Sequence, residues 1–120
     1  MYVKNLTPAN LKKLAHKLVD YLVKNDLQYD VNIYVAGQRW DFDKTDTKTP
    51  AGNGYHVTDG VMPSIEYANP DTITMTFEGP LYGAINYGDG SVMAELDKLF
   101  KSYGLYLEQG HAWSMAAYKI

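Results

Sequence analysis

The chain has 120 residues, 46% of them hydrophobic and 21% charged, and a formal net charge of −3. That length buries roughly 65% of its extended surface, enough for a single domain over 1–120 and too little for two packed ones. With no cysteine, disulfides, thiolate nucleophiles, thiolate zinc sites and iron–sulfur clusters are excluded.

The first element is a helix. Thr7 suits an N-cap and Pro8 the first helical position, where a missing N–H costs nothing, while Leu6 and Leu11 occupy hydrophobic-staple positions. Leu11, Leu14, Ala15, Leu18, Leu22 and Val23 then recur at three- and four-residue steps as one apolar stripe. Lys13, Lys17, Asp20 and Lys24 mark the opposite side.

Val31, Ile33 and Val35 alternate with Asn32, Tyr34 and Ala36, the pattern of a half-buried strand. Ala36-Gly37-Gln38 turns the chain into a second strand through Trp40 and Phe42. Lys44 to Asn53 reads as a surface loop. Tyr55–Val57 and Ser64–Ala68 are short strand candidates, Asn69-Pro70-Asp71 a turn, and Thr72–Phe77 a strand rich in Thr, Ile and Phe.

Pro80–Tyr87 has the opening proline and spacing of a short helix, with Gly88 after it. A last helix starts at a cap supplied by Asp89 or Ser91, shares a face between Val92, Leu96, Leu99, Phe100 and Tyr103, and stops at Gly104. Leu105–Leu107 and Trp113–Tyr118 close the chain as a hairpin broken near Gly110-His111. Short turns between strands imply a mainly antiparallel sheet with helices on one face, an α+β two-layer sandwich.

Charge is unevenly spread. Through Lys24 there are five lysines against Asp20, whereas twelve acids between Asp26 and Asp97 face only Arg39, Lys44 and Lys48. The side bearing Lys12, Lys13, Lys17 and Lys24 could touch phosphates, but no nucleic-acid motif accompanies it and the acidic body opposes a long duplex. A solvated helix face is the expectation. Met1 to Pro8 has no apolar segment of the signal-peptide kind, and no apolar run approaches 18 residues, so a cytoplasmic protein without membrane contact is expected.

Asp41-Phe-Asp43-Lys-Thr45 matches the Asp-x-Asp-x-Thr signature of haloacid-dehalogenase-like phosphotransferases. That family's loop leaves a buried parallel strand of a doubly wound domain; here Gly37-Gln-Arg-Trp40 precedes it in a chain too short for that fold. Asp41, Asp43 and Asp46 fall short of the oxygens calcium needs, so neither metal nor cofactor is expected. His56 with Asp59, three residues on, or His111 at a turn could serve a small hydrolase or isomerase as general base. No nucleophile elbow, paired metal-spaced histidine or phosphate loop completes such a site.

Eleven tyrosines stand against three phenylalanines and two tryptophans. A tyrosine couples a large apolar ring to a hydroxyl that needs a partner, which suits surfaces that become buried on binding. Tyr34, Tyr67, Tyr106 and Tyr118, with Trp40 and Trp113, are expected to mark a docking surface for another protein, for a second copy of the chain, or for bases.

Thr72-Ile-Thr-Met-Thr-Phe-Glu-Gly-Pro-Leu-Tyr82 through Asn86-Tyr87, and Tyr103 to Trp113 with Ala116-Ala-Tyr118, resemble small uncharacterised proteins of Gram-positive phages and mobile elements. The resemblance spans the C-terminal half and rests on aromatic–glycine spacing. It implies a cytoplasmic accessory protein and assigns no activity or site residue.

Overall fold

The computed structural model describes residues 6–42 and 55–120. Its elements, in chain order, are α1 (Pro8–Lys24), β1 (Val31–Val35), β2 (Gln38–Phe42), β3 (Tyr55–Asp59), β4 (Ile73–Phe77), α2 (Pro80–Tyr87), α3 (Ser91–Lys101), β5 (Leu105–Gln109) and β6 (Ser114–Lys119). The expected loop from Lys44 to Asn53, with Asp43, Thr45 and Asp46, lies outside the described residues.

The strands form one sheet in the order β3-β2-β1-β4-β6-β5, every neighbouring pair antiparallel. The fold is the expected α+β one. Side chains alternate across it: Ile33, Trp40, Met75 and Met115 share a row on the helix side. There they meet Leu11, Leu14, Leu18 and Leu22 of α1 and Leu96 and Phe100 of α3, all buried. Each such side chain contributes about 1.5–3 kcal/mol by leaving water.

Thr7 caps α1 as its sequence implies, its Oγ1 accepting the Asn10 N–H at 3.2 Å. The α3 cap differs from both expectations. Gly90, at φ +88°, takes the N-cap position with no side-chain bond, and the Asp89 carboxylate accepts the Ser91 N–H at 2.9 Å. The Ser91 hydroxyl first, and that N–H bond after it, hold the Asp89 carboxyl below the usual carboxylate range. Ala36 and Gly37, both at positive φ, make the tight two-residue turn between β1 and β2. Ser64–Ala68 is not a strand. The Gly60–Asp71 connection instead carries the chain from the edge strand β3 back to β4, which lies beside β1, through turns and irregular backbone.

The β5 edge carries a specific guard. Gly110 N donates to Ser114 O and Ile120 N to Gly104 O, so alternation turns the N–H of Leu107 away from β6. Asp97 of α3 accepts it at 3.2 Å while bonding Lys101 at 2.8 Å. An uncapped edge N–H would invite pairing with another chain. The Lys101 ammonium first, and the Leu107 N–H after it, hold the Asp97 carboxyl below its ordinary value despite partial burial. A depressed folded-state value means that this stabilisation is present above the unfolded carboxylate range and lost as pH falls through the folded one. Asp97→Asn is expected to cost about 1 kcal/mol at neutral pH, the group being partly solvated. Denaturant melts at pH 7 and pH 3 test it: the gap between wild type and variant should narrow at pH 3, and a constant gap would exclude the ionic contribution.

Candidate functional site

The sheet face away from the helices carries Tyr34, Tyr106 and Tyr118, as the alternation of their strands implies. That face is not bare. The Gly60–Asp71 connection roofs the part over β4 and β6, where Thr74, Ser114 and Ala116 are buried. Asn69 fastens it, its N–H donating to Thr74 Oγ1 at 2.9 Å and its Nδ2 to the Ala117 carbonyl at 2.8 Å.

Tyr67 rides on this connection rather than on a strand. Its φ is +65° and its side chain is exposed, a conformation costing a bulky residue about 1–2 kcal/mol. Two contacts hold it there. The Tyr118 hydroxyl donates to the Tyr67 carbonyl at 3.0 Å, and Gly110 lets the Tyr67 side chain approach to where a Cβ would stand 2.7 Å from Tyr67 Cβ. Burial, then the charges of Glu108 and Tyr106, raise the Tyr118 pKa, so its hydroxyl remains a donor.

Tyr67 meets rings on one side and, on the other, is joined to a tyrosine pair through its backbone carbonyl. Its ring lies 5.3 Å from that of His111, which stacks on Trp113 at 4.5 Å with 2° between planes. On the other side Tyr118 meets Tyr106 at 5.8 Å. Trp113, His111, Tyr67, Tyr118 and Tyr106 thus form a row over the β5–β6 hairpin, each ring half-buried or exposed.

At its Trp113 end the row runs into a cleft of about 870 Å³. The cleft opens where β1 begins and β2 and β4 end, and its wall includes Tyr29, Asp30, Asn32, Asp41, Phe42, Thr76, Glu78 and Trp113. The register that sets Val31 against Phe77 also places Asp30 beside Glu78, whose N–H donates to the Asp30 carbonyl at 3.2 Å. Asn32 Nδ2 donates to Thr76 Oγ1 at 3.2 Å across the same strands. Asp41 lies 3.4 Å from Arg39 Nε, close enough for attraction but not aligned as a hydrogen bond. Among the described residues no group of three or more His, Asp or Glu is arranged to hold a metal ion.

Trp40 belongs elsewhere. It is only 2% exposed, on the helix side of β2, with its ring edge-on to His16 at 4.8 Å. A residue at the centre of β2 points with Ile33 and Met75 into the core, so Trp40 offers no docking surface. The His56–Asp59 pair does not form either. Residues three apart on a strand point to opposite faces: Asp59 accepts from Gln38 Nε2 at 2.7 Å, and His56 Nδ1 lies 3.4 Å from Thr58 Oγ1. The acid across from His56 is Asp41. His111 packs between aromatic rings and meets no carboxylate in any described contact. On α1, Lys13, Lys17 and Lys24 are exposed and Lys12 half-buried, with Lys17 Nζ 5.3 Å from the Tyr103 ring centroid. Among the described residues no helix is long and apolar enough to cross a membrane.

The sequence reading missed the cleft, whose walls come from the ends of β1, β2 and β4 and the residues next to them. No local pattern signals it; the His111-x-Trp113 spacing bears only on the aromatic row, where the two rings stack. No protein-family model, curated protein or solved structure matches the chain.

Proposed function

We propose that the protein is a non-enzymatic binding protein that associates with another protein through the aromatic row Trp113–His111–Tyr67–Tyr118–Tyr106. The observation that carries this reading is Tyr67: a bulky residue at positive φ with its ring presented outward, fixed by Gly110 and Tyr118. Strain of that kind persists where the surroundings over-determine it, and such places cluster at ligand clamps. Exposed Tyr and Trp rings supply interface area at low entropic cost. Tyr34, half-buried on the same sheet face, stands on β1 beyond the roofed strip and is a separate candidate contact. The cysteine-free composition supports a cytoplasmic setting, and the resemblance of the C-terminal half suits an accessory role in a phage or mobile element.

The test uses immobilised protein and host lysate, with native mass measured in parallel to separate a foreign partner from a second copy. Tyr67→Ala and Tyr106→Ala should each weaken capture about tenfold or more, with the thermal midpoint nearly unmoved because both rings are exposed. Variants that melt earlier yet still capture the partner would sink the reading.

A further inference from the structure

The cleft at the end of the row has two properties that specify an occupant. Its described wall carries three aromatic residues, Tyr29, Phe42 and Trp113, and every charged side chain in it is a carboxylate, Asp30, Asp41 or Glu78, beside the neutral Asn32 and Thr76, which are bonded to each other. Of these carboxylates only Asp41 has an ion-pair partner among the described residues, Arg39 at 3.4 Å, and no ion pair to Asp30 or Glu78 occurs there. The charge of the described lining disfavours an anionic ligand, and a purely apolar one would leave carboxylates desolvated beside it. A guanidinium satisfies both features, since its plane stacks on aromatic rings while its N–H fork binds carboxylates. An ammonium is more strongly hydrated and stacks less well.

We propose that this cleft receives an arginine side chain of the partner protein, next to the rings that engage the rest of its surface. The assignment rests on the protein-binding reading and supplies its chemistry: the partner's contacting segment is arginine-bearing. Asp30 sits at φ +59°, a conformation that asparagine also tolerates, so Asp30→Asn removes charge without disturbing the turn. Glu78 is exposed, and Glu78→Gln does the same there.

The probe is the blocked peptide Gly-Arg-Gly-Arg-Gly, compared with its lysine and glutamate counterparts at low ionic strength. Binding is followed by calorimetry and by tryptophan emission. Trp113 lines the cleft and Trp40 is buried, so Trp113→Phe should abolish the emission change. The arginine peptide should bind several-fold more tightly than the lysine peptide, with no binding of the glutamate peptide. The Asp30→Asn/Glu78→Gln double variant should lose about tenfold in affinity, and added salt should weaken the wild-type interaction. Equal binding of the arginine and glutamate peptides, or undiminished binding by a folded double variant, overturns the proposal. Tyr106→Ala keeps the two readings apart, because Tyr106 is at the far end of the row. If it binds the arginine peptide normally while partner capture never depended on Tyr67 or Tyr106, the row fails and the cleft stands. If capture needs those tyrosines and the peptide does not bind, the cleft fails alone.

Discussion

Trp40→Ala should destabilise the protein by about 3–5 kcal/mol, the range for emptying a large buried aromatic site. Its ring fills the helix-side row between Ile33 of β1 and Val57 of β3 in the register and meets His16 of α1 edge-on. The indole also orders a polar relay. Trp40 Nε1 donates to Gln38 Oε1 at 3.1 Å, and Gln38 Nε2 donates to Asp59 Oδ1 at 2.7 Å, tying β2 to the edge strand β3. Trp40→Phe keeps most of the volume and should cost a fraction of the alanine change. Denaturant unfolding followed by far-UV circular dichroism measures both. A cost below about 1 kcal/mol for Trp40→Ala would place the indole at a surface, and would return it to the docking residues expected from sequence alone.

Trp40 also shows where sequence reasoning reaches its limit. The alternation of Val31, Ile33 and Val35 named the buried face of β1 correctly, and it put Tyr34 on the other face. For β2, Gln38-Arg-Trp-Asp-Phe offers no equivalent stripe: Trp40 alone is buried, with half-buried neighbours on both sides. Only the Ala36-Gly37 turn, by pairing Ile33 with Trp40, sets the phase. The long amphipathic α1 was legible because its stripe and cap are local. The Ser64–Ala68 expectation failed for a long-range reason, since its path follows from β4 pairing with β1 rather than with β3.

The candidate site divides the same way. Tyr106 and Tyr118 are cross-strand neighbours in a hairpin, so strand periodicity sufficed to find them. Tyr67 joins them only through a hydroxyl bond spanning 51 residues. Asp30 and Glu78 are 48 positions apart and become neighbours through the β1–β4 register. His56 and Asp59 illustrate the converse, closeness along the chain without convergence in space. A cleft assembled at the ends of three strands is therefore invisible until strand order is known.

Gly79→Ala should cost about 2–3 kcal/mol and disturb the cleft at the same time. Gly79 links β4 to α2, and a Cβ there would stand 2.5 Å from the Tyr29 carbonyl oxygen and 3.3 Å from Asp30 Cβ. The obstructing oxygen is backbone and cannot rotate aside, so the segments before β1 and after β4 must part. That movement breaks the Glu78 N–H bond to Asp30 O, pulls on the buried Leu81 at the start of α2, and shifts Tyr29, Asp30 and Glu78 together. Gly83 provides the control. It lies within α2, with nothing inside 4 Å of an added Cβ, so Gly83→Ala should stabilise by about 0.5–1 kcal/mol through helix propensity. One substitution, made four residues apart, is thus expected to act with opposite signs. Calorimetric melts read the stability change, and titration with the arginine peptide reads the cleft. Weaker peptide binding by Gly79→Ala and unchanged binding by Gly83→Ala would tie the cleft's shape to this one close approach; equal effects in the two variants would break that link.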